Sequence, residues 1–276
     1  MIEDRKVLIK LNECIKKNKP AAMVTIVSSD GSTPRGVGST MLVDEDGNLL
    51  EGTIGGGILE ERAKKDAAKY IRKKESTLID YNLDRNVKDS NTLPMTCGGN
   101  VSLFIKVYSP QEKLIIAGAG HISEKISKIA KILGYSITVM DDRKERLNSE
   151  IFPKVENLMP GSIVENLNRI SIDRDTFVII VTHGHKHDQE ALEAVLRSDA
   201  RYIGMIGSVN KIRGCFRNLL EKGYSKEELS KVYTPIGIDL GGEAPEEIAL
   251  SIVAEIQAVK YGKDVPNLSN GISKFD

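Results

Sequence analysis

Cys97 is the residue with the most chemistry in reach. It stands between Thr96 and the pair Gly98-Gly99, which open the backbone around its sulfur. A thiolate in such a loop can act as a nucleophile or bind a soft metal, and the plainer reading is a small buried residue at a strand entrance. The other two cysteines differ. Cys14 falls on the apolar stripe of a helical pattern and Cys215 inside a basic helical stretch, so both are expected as packed hydrophobes. Three scattered cysteines make neither a disulfide framework nor a zinc knuckle.

Three glycine-rich segments could hold an anion. Ser28 to Thr40 is dense in glycine and hydroxyls and carries one guanidinium, Arg35, whose fork suits phosphate or carboxylate; a plain hairpin connection fits it equally. Gly55-Gly56-Gly57 precedes a helical pattern, which places N–H groups at a helix start, a ready anion site. Gly118-Ala119-Gly120-His121 follows the apolar run Leu114 to Ala117 and fills the first two glycine positions of G-x-G-x-x-G, with Ser123 at the third. Asp141-Asp142 ends the next apolar run, about 20 positions on, where a ribose-binding carboxylate is expected. This constellation predicts a dinucleotide-binding turn, with NAD(P) or another nucleotide as its ligand.

Histidines cluster in His183-Gly184-His185-Lys186-His187-Asp188. The order of the last two residues is reversed from the dinuclear zinc motif H-x-H-x-D-H, and no histidine follows His187, which argues against a zinc hydrolase. A single metal site on His183 and His185, or a polar rim at a strand end, is the reading that remains. Asp188 is expected to cap the helix that follows.

These residues need elements to position them. Residues 3 to 17 form an amphipathic helix with Val7, Leu8, Leu11, Cys14 and Ile15 on its stripe. Strands are expected at 21–27, 41–43, 76–80 and 101–107, with a helix after Gly57. Past the polar joint Ser109 to Glu112, strands alternate with helices, and Phe177 to Val181 is continuously apolar, as a buried parallel strand should be. The expected fold is α/β: an N-terminal mixed α/β domain over 1–110, then a C-terminal Rossmann-like doubly wound parallel sheet over 111–276. Its crevice should gather Gly118, Asp141, His183, Gly207 with Ser208, and Asp239 at the carboxyl ends of the strands. Lys plus Arg equals Asp plus Glu at 39 each, which provides no basic field for nucleic acid or an anionic membrane. No apolar run approaches membrane-spanning length and no signal-peptide core follows Met1, so a soluble, reduced, cytoplasmic protein is expected.

The segments Gly31 to Gly38, Gly52 to Glu60 and Met95 to Gly99 together resemble the signature segments of the xanthine dehydrogenase accessory factors, the XdhC/CoxI family. Gly118 to His121, Met140 to Arg143, Thr182 to His185, Tyr202 to Ser208 and Pro235 to Ala249 resemble that family's C-terminal Rossmann domain. The resemblance implies a maturation factor without turnover of its own. Such a factor binds molybdenum cofactor (molybdopterin), holds it while a terminal ligand is exchanged for sulfur, and delivers it to a molybdenum hydroxylase apoenzyme of the xanthine dehydrogenase type. It also implies a cysteine desulfurase or other sulfur donor as partner; a homodimer is expected for a carrier that docks larger enzymes, and a thiolate at Cys97 suits a place near the metal. The alternative from the residues alone is an NAD(P)-dependent oxidoreductase using Gly118, Gly120 and Asp141, with His183 and His185 as acid–base candidates.

Overall fold

The structure is a computed structural model that describes residues 2–31, 35–83, 92–93, 99–183 and 185–264, without the side chains of Ile2, His185 and Lys186. Cys97, Gly98 and the loop of 84–91 lie outside the described residues. The chain divides into two compact units, Met1–Pro110 and Gln111–Asp276.

Among the described residues, the first unit contains α1 (Ile2–Lys16), β1 (Ala21–Gly31), β2 (Thr40–Val43), β3 (Leu49–Gly52), α2 (Gly57–Lys73), β4 (Thr77–Asn82) and β5 (Gly99–Tyr108). The strands form one antiparallel sheet in the order β3-β2-β1-β5-β4. Alternation along β1 sends Ala21 and Met23 to one face and Ala22, Val24 and Ile26 to the other. Helix α1 covers the first face with Val7, Leu11 and Cys14, and α2 covers the second with Leu59, Ala63, Ala67 and Ile71. Leu8 and Ile15 lie off this stripe at 57% and 54% exposure, although their spacing had placed them on it. Strand β1 runs four residues past the expected end at Val27. A register shift between Ile26 and Ser28 lets it stay paired with β5 as far as Gly31 and Gly99. Glycine is required at 99, because a Cβ there would lie 2.3 Å from the carbonyl oxygen of Asp30.

The second unit contains β6 (Lys113–Ala117), α3 (His121–Ile132), β7 (Ser136–Asp141), β8 (Asn157–Pro160), α4 (Ile163–Arg169), β9 (Thr176–Ile180), α5 (His185–Val195), β10 (Tyr202–Met205), α6 (Val209–Glu221), α7 (Lys226–Leu229), β11 (Val232–Tyr233) and α8 (Pro245–Tyr261). Its sheet is parallel throughout, in the order β11-β10-β9-β6-β7-β8. Leu114 and Ile116 of β6 face α3 and α8, while Ile115 and Ala117 face the α5–α6 side. Burial on both faces explains the unbroken apolar run of β9. The strand order places a switch point between β6 and β9, where the connections diverge to opposite edges, and ligands bind at such a point outside the carboxyl ends.

Candidate functional site

Gly118 and Gly120 serve this turn in different ways. Gly118 has φ +116°, and a Cβ on it would lie 2.3 Å from the carbonyl oxygen of Val181, so the carboxyl ends of β6 and β9 meet only because it is glycine. Gly120 has φ −81°, and no atom lies within 4 Å of its would-be Cβ. Neither backbone nor neighbour requires glycine there. The space that its absent side chain leaves opens instead into a cavity of about 520 Å³, within the size range of small-molecule sites.

The cavity sits over the amino end of α3. Gly120, His121 and Ser123 line it together with Arg143, Arg146, Thr182 and His183. The first N–H groups of a helix have no partner inside it and carry the positive end of its dipole. Ser123 is wholly buried, and its Oγ has no hydrogen-bond partner among the described residues. The buried face of α3 runs through Ser123, Ile126, Ser127 and Ala130, and Leu133 just past its end is exposed.

Asp141 is the electrostatic centre of the turn. It is 1% exposed, and its carboxylate accepts from the Ala119 N–H at 2.6 Å, the Arg143 N–H at 2.9 Å, and Arg143 Nε and Nη2 at 2.8 Å each. Burial pushes its pKa up, but the guanidinium and the backbone donors outweigh burial and hold it far below the usual carboxylate range. Asp141 thus fixes the turn from inside the protein, while Arg143 stands between it and the cavity. Arg146 donates from Nε to the Ala119 carbonyl at 3.0 Å, and its Nη2 is buried without a partner among the described residues. Neither arginine was singled out by the spacing argument. The signal was their position two and five residues after the end of β7, where an Arg accommodates a ribose phosphate.

The other candidates are dispersed. Asp142 is exposed beside Arg143. Ser208 caps α6 by accepting from the Lys211 N–H at 3.4 Å and lines a second cavity of about 550 Å³ between α5 and α6. Gly207 packs on the Lys211 side chain, and Asp239 accepts from the Gly241 N–H in an exposed loop, so neither joins the α3 cavity. Asp188 is not the expected N-cap, because α5 already begins at His185. It lies buried in the first turn, takes the N–H and hydroxyl of Thr182, and pairs with Lys211 of α6. His183 lines the cavity and His187 faces Glu190, while the His185 side chain lies outside the described residues. Among the described residues no group of three His, Cys, Asp or Glu could hold a metal ion.

In the first unit, Gly55, Gly56 and Gly57 all have positive φ, and α2 starts at Gly57. Glu60, one turn along, folds back over them. Its carboxylate accepts from the Thr53 hydroxyl at 2.5 Å and from the N–H groups of Ile54 and Gly56 at 3.1 Å each. Burial raises its pKa, and these donors with Lys64 lower it further than burial lifts it. Arg35 reaches Glu3 in the first turn of α1 at 2.7 Å.

Residues 114–256 match the XdhC Rossmann domain, and residues 14–82 match the XdhC and CoxI family. An uncharacterized protein, YqeB of Escherichia coli, is 36% identical over 249 residues, 89% of this chain and 44% of its own length. A probable xanthine dehydrogenase subunit of Bacillus subtilis is 32% identical over 56% of this chain and 45% of its own. The molybdenum cofactor insertion chaperone PaoD of Escherichia coli is 22% identical over 96% of this chain and 91% of its own. The chain therefore spans less than half the length of the first two relatives. A crystal structure of a xanthine dehydrogenase from Bacillus halodurans has the same fold, with a TM-score of 0.52 at 23% identity over 91% of this chain and 96% of that one. Among the described residues no helix is long and apolar enough to cross a membrane.

Proposed function

This chain belongs to the XdhC and CoxI family, and from that membership we propose that it is an accessory protein of molybdenum cofactor maturation. It binds the cofactor, holds it during sulfuration and hands it to a molybdenum hydroxylase apoenzyme of the xanthine dehydrogenase type. The observation that carries this reading is the α3 cavity, where buried Ser123 Oγ and Arg146 Nη2 lack partners among the described residues. Molybdopterin ends in a phosphate, and that phosphate suits the helix start, the guanidinium and the glycine backbone. When bound, the cofactor supplies the molybdenum centre at which sulfur is exchanged. The chain's own residues hold and orient it: Arg146 and the α3 N–H groups take the phosphate, and Asp141 keeps the turn in shape. A cysteine desulfurase as sulfur donor and a homodimer complete the proposal.

The test is retention of the cofactor by the full chain. The protein is incubated with molybdenum cofactor and desalted, and its pterin is released by oxidation and measured by fluorescence. Near-stoichiometric pterin is expected for the unmodified chain, and at least about tenfold less for Arg146→Ala. A chain that retains no pterin refutes the proposal.

A further inference from the structure

The ribose-binding carboxylate expected after β7 is not presented to the cavity. Asp141 is 1% exposed, and Ala119 and Arg143 already occupy its oxygens. A ribose 2′-hydroxyl could bond it only by displacing a bidentate guanidinium, which exchanges a charge-assisted pair for a neutral one. Two cations line the cavity instead. Arg143 is held on edge by Asp141 with the rest of its donor fork outward, its side chain 34% exposed. Arg146 is anchored through Nε on the Ala119 carbonyl, and its buried Nη2 has no partner among the described residues. Both hang from one residue of the glycine turn, Arg146 from its carbonyl and Arg143, through Asp141, from its amide.

In a doubly wound sheet a dinucleotide lays its diphosphate on the glycine turn and its adenosine ribose at the end of the second strand, here β7. We propose that the α3 cavity selects a nucleotide whose ribose carries a phosphomonoester, NADP-type rather than NAD-type. Arg143 and Arg146 hold that phosphate, and Gly120, Ser123 and the α3 N–H groups hold the diphosphate. The proposal rests on the reading of this cavity as a phosphate site. The pterin phosphate and the nucleotide would use the same donors, so they compete.

Calorimetry on the full, cofactor-free chain with NADP, NAD, 2′,5′-ADP and 5′-AMP tests it. NADP should bind at least about tenfold more tightly than NAD, and 2′,5′-ADP than 5′-AMP, the difference expected for a charge-assisted contact. Arg146→Ala should collapse both preferences, and a cooperative thermal transition of the second unit shows that the variant is folded. Arg146→Lys should restore part of the preference, and NADP should displace retained pterin while NAD does so only at higher concentration. Equal affinity for NADP and NAD, or no binding of any of the four, overturns the proposal. Pterin retention that survives that result leaves the maturation reading standing. NADP binding by a chain that retains no pterin does the reverse.

Discussion

Replacing Asp141 with asparagine tests the idea that this carboxylate holds the glycine turn. The side chain keeps its shape but loses its charge and one acceptor. In the native turn the carboxylate receives four donors, one from Ala119 and three from Arg143. Asparagine can satisfy the Ala119 N–H or the guanidinium with its oxygen, and its amide then points a donor at the other. Hydrogen bonds to charged groups contribute about 1.5–3 kcal/mol each. Part of this loss is recovered, because Arg143 is about one-third exposed and can turn to water. The net cost is about 2–4 kcal/mol, below that of stranding a fully buried charge. For a unit of this size that is a fall of roughly 5–15 °C in Tm.

The two units need not unfold together, so the assay must report on the second one. Hydrogen exchange on the peptide spanning Leu114 to Ile126 should quicken in Asp141→Asn, while peptides of β1 and β5 stay unchanged. Acid adds a second readout. The folded pKa of Asp141 is lowered, so its contribution is present above its unfolded pKa, about 3.9, and is lost as the pH falls below that toward the folded value. Unit two of the unmodified chain should weaken over that window, and the variant should lack this part of the acid dependence. If Asp141→Asn melts at the unmodified temperature and the Ala119 amide exchanges at the unmodified rate, the carboxylate does not hold the turn.

Gly118→Ala should be costlier, about 3 kcal/mol or more, because the new Cβ meets the Val181 backbone at 2.3 Å with φ at +116°; a urea midpoint equal to that of the unmodified chain would refute the reading. Glu60→Gln should cost about 1–2 kcal/mol and speed exchange at Ile54 and Gly56, since it weakens an acceptor of one hydroxyl and two N–H groups. Its effect should vanish in acid, where the lowered pKa of Glu60 is crossed from above and the native group is itself protonated. The Cys215 thiol is pushed up to about 11 by burial and by the charges of Asp188 and Glu193, so a thiol reagent at pH 8 should label it only as fast as the second unit opens. Labelling of native protein at the rate of a free thiol would exclude that environment.

The β6 turn and the parallel sheet were legible because burial on both faces leaves continuous apolar runs, as at Leu114 to Ala117 and Phe177 to Ile180. The stretch from Arg143 to Asp175 gave no such signal. Its strand β8 lies at the sheet edge with half-exposed side chains, and Asn157-Leu158-Met159-Pro160 has no periodicity to read. The glycines announced where chain would bend, but not which side chain would fill the bend. Glu60 and Asp141 both look like surface acids in the sequence, and both turn inward because backbone N–H groups wait there. Arg146 reaches the turn only through the chain reversal after β7, which spacing alone does not encode.

The two glycine turns use one device to opposite ends. In each, an internal carboxylate takes the N–H groups that glycine conformations expose. Glu60 belongs to the first turn of α2, takes two N–H groups of its own loop, and brings a negative charge to that helix start. An incoming anion there meets a carboxylate already seated on the helix dipole, with Lys64 near it. Asp141 comes from a different strand, takes a single turn N–H, and is matched by the Arg143 guanidinium. Two guanidiniums, Arg143 and Arg146, line the α3 cavity, and the space over Gly120 stays open. Glycine content alone ranks the first turn above the second as an anion site, since it has three consecutive glycines. The placement of the internal carboxylates reverses that order, and it favours the α3 cavity over the Gly55 to Gly57 turn as a phosphate site.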